Sequence, residues 1–245
     1  MNGMKYVNTF GFKVFSDELA KIQLTDNCKT CNTISPNSYG ISTKDPQFRD
    51  ALKTSDYLVL DGVYFALASL ALKGKKIKKN QGPDLFKFFV RKMNKESGRI
   101  FFLGSSNETL DRIKTRLSDE YPNIKVEYLS PPFKKEFSEA DNSIMVEAIN
   151  KFKPDILFIG MTCPKQEKWS HEHKASLNAK LVCSIGAVFD WYAGNQKEIH
   201  PLWWKFNMAW LKRTIDRPEI LLRYPEIGIF FWHLFLALFG INKYK

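Results

Sequence analysis

The stretch at 154–169, PDILFIGMTCPKQEKW, most constrains what this chain can fold into. An apolar run over 156–159 stops at Gly160, a polar turn follows, and Pro164-Lys165-Gln166-Glu167 opens a segment with helical spacing. That pattern is a strand feeding a turn feeding a helix. In an open α/β sheet such junctions are where ligands bind, because free backbone N–H groups and the helix dipole favour anions. Two local readings fit equally well. In one, Thr162 or Cys163 caps the helix, Pro164 sits in its first turn and Glu167 complements the dipole. In the other the junction is a ligand site, with the Gln166 amide able both to donate and to accept.

Similar units recur along the chain. A strand or hairpin is expected over 5–15 around Gly11, a short helix over 16–24, strands over 29–35 and 57–60, and helices over 45–54 and 63–72. Further on, helices are expected over 83–96, 108–121, 139–151 and 167–177, alternating with strands over 99–103, 124–129, 155–159 and 181–185. Apolar strands alternating with helices predict an α/β fold: a Rossmann-like, mainly parallel sheet with helices on both faces. Right-handed crossovers then bring Asp61, Gly104, Gly160 and Gly186 to one edge, the carboxyl edge of the sheet.

After Asp190 the pattern changes. The remaining segment is rich in Trp, Phe and Arg, and 227–241 is apolar except for His233. This predicts a catalytic domain over 1–194 and a basic, aromatic, helical C-terminal appendage over 195–245. About fifteen apolar residues fall short of the roughly twenty that span a bilayer. The basic flanks and Trp203, Trp204, Trp210 and Trp232 instead suit attachment at a membrane interface; burial or contact with a second copy of the chain is the alternative.

Charge narrows the partners. The formal net charge is +11, and 73–99 alone carries ten Lys and Arg against two acidic residues. The expected partners are anionic: a nucleotide, a phosphate, a nucleic acid or a membrane surface. Cys28 and Cys31 form a lone C-x-x-C, and neither Cys163 nor Cys183 completes a zinc ligand set, so four reduced thiols are expected. His171 and His173 stand two apart on a helix, a poor metal pair, and read as surface residues. The N-terminus shows no long apolar h-region, so a cytoplasmic protein is expected.

Two further places offer chemistry. Asp61, at the end of an apolar strand, is placed as a general base, and Gly62 beside it lets a substrate approach the backbone; an N-cap for the following helix is the alternative. The run Gly104-Ser105-Ser106-Asn107 ends a strand and opens a helix, where small residues and hydroxyls hold phosphate or ribose. It is not G-x-G-x-x-G, no Walker A motif occurs, and Asp-x-Asp is absent.

Taken in order, Ser35-Pro36-Asn37, DPQFRDALKTSDYLVLDGVYFALAS, Gly82-Pro83-Asp84-Leu85, IFFLGSS, PDILFIGMTCPKQEKW, SIGAVFDWYAG and WLKRTIDRPEILLRYPE resemble the WecG/TagA/CpsF family of bacterial glycosyltransferases, glycosyltransferase family 26. The likeness covers roughly residues 32–226. It implies a metal-independent, inverting transfer without a cofactor. The sugar passes from a UDP-sugar to a polyprenyl-diphosphate-linked sugar at the inner face of the bacterial cytoplasmic membrane, in cell-surface polysaccharide assembly. Asp61 matches the family's proposed general base, and Ser35 and Asn37 match residues lining the same pocket. Gly104, Gly160, Gln166, Glu167 and Gly186 match donor-side positions. Gly62, Gly82, Asp84, Ser105, Lys165 and Asp190 fall inside the matching segments as further substrate-binding candidates. Arg213, Arg217 and Arg223 match a basic appendage thought to meet diphosphate. This chain departs from the family where Ser105 and Thr162 replace Gly, where Ile199-His200-Pro201 replaces Arg-Ala-Pro, and where Ala209 replaces an acid.

Two other functions compete. A non-catalytic, basic, membrane-associated binder of nucleotides or nucleic acid draws on the lysines at 73–79, but these lack interleaved aromatics for base stacking, so no nucleic acid is expected. A nicotinamide oxidoreductase is disfavoured by the missing glycine signature.

Overall fold

The computed structural model describes residues 3–196, 202–203 and 209–240. An antiparallel hairpin, β1 (Tyr6–Thr9) and β2 (Phe12–Phe15), comes first. Six strands then form one sheet: β3 (Lys29–Ile34), β4 (Tyr57–Leu60), β5 (Arg99–Gly104), β6 (Lys125–Leu129), β7 (Ile156–Gly160) and β8 (Leu181–Ser184). Their order is β4-β3-β8-β7-β5-β6, and every pairing is parallel. The inner strands are buried on both faces, which is why they read as continuous apolar runs. Tyr57 and Val59 enter one core while Leu58 and Leu60 enter another.

Helices cover both faces. They are α1 (Pro36–Lys44), α2 (Pro46–Lys53), α3 (Tyr64–Lys73), α4 (Gly82–Glu96), α5 (Asn107–Glu120), α6 (Glu139–Phe152), α7 (Lys165–His173) and α8 (Val188–Tyr192). Leu85, Phe86 and Phe89 of α4 share a core with Leu110 and Ile113 of α5 and Phe189 of α8. Met145 and Ile149 of α6 and Trp169 of α7 pack the opposite face.

The structure departs from the sequence expectations in three places. Residues 16–24 form a single 3-10 turn, Leu19–Lys21, because the Asp17 carboxylate is engaged by the Lys5 and Glu18 N–H groups and by Lys21. α1 was not expected; Ser35 caps it by accepting from the Ser38 N–H while Ser38 Oγ accepts from the Ser35 N–H. His171 and His173 are half-buried rather than free on the surface, His173 stacking on Trp169.

Beyond the sheet lie α9 (Ala209–Asp216), a 3-10 segment Pro218–Arg223, and α10 (Tyr224–Leu238). α10 packs against α1. A Cβ built on Gly40 would lie 2.1 Å from the Glu226 carbonyl oxygen, so only glycine admits this approach. Phe230 is fully buried among Phe10, Tyr39 and Phe65, its ring stacked on Phe65 at 5.1 Å. Tyr39 Oη and His233 Nδ1 lie 2.8 Å apart, and Lys44 pairs with Glu226 at 2.9 Å. The continuous helical stretch Pro218–Leu238 is long and apolar enough to cross a membrane by length and composition.

Candidate functional site

The topology brings the sequence candidates to the carboxyl edge of the sheet. Ser35 follows β3, Asp61 follows β4, Gly104 closes β5, Gly160 closes β7 and Gly186 lies just beyond β8. β4 and β5 are four strand spacings apart, so Asp61 and Gly104 mark the ends of a row about 19 Å long, with Gly160 about 14 Å from Asp61. The Asp61 N–H donates to the Ile34 carbonyl at 2.9 Å, which ties the loop after β4 to the end of β3. Asp61 is exposed. The N-cap of α3 is Val63, with no side-chain cap, so Asp61 does not serve as that cap. Gly62, at φ +88°, turns the chain between Asp61 and α3.

α4 starts beside the same edge. Gly82 is buried, and a Cβ there would lie 3.4 Å from the Ile185 carbonyl oxygen beyond β8. Asp84 accepts from the Gln81 N–H at 3.0 Å, closing the first turn of α4.

At the β7–α7 junction neither Thr162 nor Cys163 caps the helix. Pro164 holds the N-cap position, one residue after Cys163, and no side chain caps it. The side-chain contacts run inward instead. Gln166 Oε1 accepts from the Met161 N–H at 3.3 Å, and Gln166 Nε2 donates to Glu167 Oε1 at 2.8 Å. Gly186 faces this amide, since a Cβ there would lie 3.6 Å from Gln166 Nε2. Glu167 is sealed, and its Oε2 has no hydrogen-bond partner among the described residues. Burial raises its pKa to about 7, while the Gln166 amide and Cys163 thiol act in the opposite direction. Burial likewise pushes the Cys163 thiol up. The junction therefore presents Gln166 from below, with Glu167 beneath it.

The β5–α5 turn works differently. Ser106 caps α5, accepting from the Thr109 N–H at 3.3 Å. Ser105 has φ +62°, a left-handed conformation that costs a side chain about 1–2 kcal/mol. A glycine at this position would adopt this backbone without that cost. Gly104 and Gly160 are register partners, and a Cβ on Gly160 would lie 2.4 Å from the Phe189 ring. Gly160 thus owes its identity to packing under α8. Asp190 is half-buried on α8. Lys165 lies over the Phe137 ring at 3.4 Å, and desolvation lowers its pKa.

Around the other end of the row, Ser35 serves as the α1 cap, and the buried Asn37 Oδ1 lacks a partner among the described residues. Arg223 ends the 3-10 segment close enough for its charge to act on the Cys163 thiol, while Arg217 pairs with Glu219 at 2.9 Å. The side chains of Ala209, Trp210 and Arg213, together with residues 199–201 and Trp204, lie outside the described residues. Sequence reasoning missed Cys163 as a partner of Glu167, although their i, i+4 spacing was available, and missed the Tyr39–His233 pair, which has no local signal.

Among the described residues no group of three or more His, Cys, Asp or Glu side chains is placed to hold a metal ion. A cavity of about 490 Å³ lies at the opposite, amino end of the sheet, between α2 and α7, beside Cys28, Thr30, Asn32 and Lys174. None of the candidate residues lines it.

The model of the glycosyl transferase WecG/TagA/CpsF family matches residues 6–244. The chain is 26% identical over 220 residues to an N-acetylglucosaminyldiphosphoundecaprenol N-acetyl-beta-D-mannosaminyltransferase of Bacillus subtilis (strain 168), covering 89% of this chain and 83% of that protein. It is 25% identical over 240 residues to the enzyme of the same name from Staphylococcus aureus (strain MRSA252), covering 94% and 92%. This chain belongs to the WecG/TagA/CpsF family and is a glycosyltransferase.

Proposed function

We propose that this family member transfers a sugar from a UDP-sugar to a polyprenyl-diphosphate-linked saccharide, with inversion and without a metal ion, in the assembly of a cell-surface polysaccharide. The relatives' names support the lipid-linked acceptor and a hexosamine as the transferred group. The observation that carries the reading is Asp61: an exposed carboxylate at the end of β4, not spent on capping α3, in one row with the Gln166 junction.

In this reading the nucleotide lies over the ends of β5, β7 and β8, against Gln166 and Gly186, and the acceptor enters beside Asp61. An acceptor hydroxyl attacks the anomeric carbon as its proton passes to the Asp61 carboxylate. The bond from that carbon to the UDP oxygen breaks, and UDP leaves with the electron pair. Attack opposite the leaving group inverts the centre. Charge on the leaving diphosphate is met by Lys165 and the arginines of the C-terminal segment; guanidinium forks suit diphosphate geometry. The acceptor's lipid places the enzyme on the cytoplasmic membrane face, held there through α10.

The test is transfer of radiolabelled sugar from a panel of UDP-sugars, UDP-N-acetylmannosamine among them, to polyprenyl-diphosphate-N-acetylglucosamine. Asp61→Asn is expected to lower turnover about 100-fold or more, the scale of a lost general base, while calorimetry shows UDP still binding. Wild-type turnover in that variant removes Asp61 from the chemistry.

A further inference from the structure

α3 breaks the usual rule for a surface helix. Its sequence, YFALASLALK, is apolar nearly all round, a pattern that normally marks a helix buried on every side. Yet only Phe65, Ala68 and Ser69 are buried. On the outward side Tyr64 is exposed, Leu67 is 53% exposed and Leu70 is 40% exposed.

α10 shows the same two-sidedness beside it. Phe230 and Ala237 are sealed against the protein, whereas Phe231, Trp232 and Phe235 face outward. The two helices are joined at two levels. Below, Phe65 stacks on Phe230; above, the exposed Tyr64 and Phe231 rings meet edge to face at 5.6 Å. The outer residues thus form one continuous apolar surface across two helices that are far apart in sequence.

What flanks this surface identifies its occupant. α3 runs directly into Gly74-Lys75-Lys76, and both lysines are exposed. Lys78, by contrast, pairs with Glu18, and Lys73 donates to the Asn8 carbonyl. An apolar face carrying Trp and Tyr and bordered by cations matches the layering of an anionic bilayer, with hydrocarbon inside, amphipathic rings at the boundary and negative headgroups beyond.

We propose that the outer faces of α3 and α10 form a single membrane-docking surface, completed by Lys75 and Lys76, that sets the catalytic edge at the headgroup level of an anionic bilayer. Asp61 lies three residues before Tyr64, hence within about 10 Å of chain from the rim of this surface. A lipid-linked acceptor therefore presents its sugar to Asp61 without leaving the membrane. This last consequence rests on the glycosyl-transfer reading; the docking surface itself does not.

The experiment uses the full chain and vesicles of phosphatidylglycerol with phosphatidylcholine, or of phosphatidylcholine alone, read by co-sedimentation. Leu67→Asp/Leu70→Asp is expected to lower partition at least about tenfold with α10 unchanged. Lys75→Gln/Lys76→Gln is expected to lower it about fivefold per cation, on the anionic vesicles only. Leu67→Ser/Leu70→Ser, with thermal midpoints for all variants, guards against misfolding. Unchanged co-sedimentation of the folded leucine variants overturns the proposal. So does a wild-type dimer in sedimentation equilibrium that the leucine changes convert to monomer. Transfer to a short-chain, water-soluble acceptor without vesicles is expected to persist in all these variants. Absence of any transfer by the wild type, with docking still lost in the variants, would sink the glycosyl-transfer reading and leave the surface standing.

Discussion

At the scale of single residues, two side chains depart from what their surroundings favour. Ser105 sits at φ +62°. Ser105→Gly should stabilise the protein by about 0.5–1 kcal/mol, the left-handed penalty less the added freedom of the unfolded chain. Thermal denaturation checks this, and a lower midpoint would show that the side chain is held by something stronger than backbone preference. Glu167 is the second. Its folded pKa of about 7 lies above the 4.5 of the free side chain, so the folded protein binds the proton more tightly than the unfolded chain. Stability should therefore fall as pH rises between those values, by on the order of 3 kcal/mol, and level off above them. Glu167→Gln should flatten the profile in urea titrations across that window. The sequence made the placement of Asp61 at the carboxyl edge legible, because a lone acid ending an apolar strand has few positions open to it. It did not reveal that Glu167 is sealed. Which way a first-turn side chain points depends on what closes over it, and Gly186, which faces the adjoining Gln166 amide, reaches this junction only through the fold.

At the scale of elements, strands and long helices were legible wherever burial follows an apolar period. α2 and α4 carry that signal: Phe48, Ala51 and Leu52 are buried in one, Leu85, Phe86 and Phe89 in the other. α1 does not. Its buried residues include Ser38, Gly40 and Ser42, small side chains with no hydrophobic period, so only the Ser35–Ser38 capping box announced it. The reason for such small residues is the neighbour they admit, α10. Gly40→Ala is expected to force the two helices apart, because the new methyl meets backbone rather than a yielding side chain. Faster amide exchange over α10, with the sheet unchanged, is the expected readout.

At the scale of the whole molecule, the alternation of strands and helices made the parallel sheet legible, and with it the convergence of the glycines and Asp61 on one edge. Strand order was not legible, because the crossover from β4 to β5 passes over three intervening positions and leaves no local trace. Nor was the part played by α10. Its apolar run reads as an anchor, but Phe230 also completes the core beneath α1 and α3. Removing residues 227–245 should thus cost about 3–5 kcal/mol, the scale of deleting a buried Phe side chain. Urea denaturation measures it, and an unchanged midpoint would mean the core closes without Phe230.

The contact between Phe10 and Phe230 has a bearing on how the enzyme is made. The ribosome adds the second ring about 10–40 s after the first, at ordinary elongation speeds. Until then the hairpin of β1 and β2 has no lid, and the nascent polypeptide waits for α10. Chaperones have that interval in which to act, and a prematurely terminated product never leaves it.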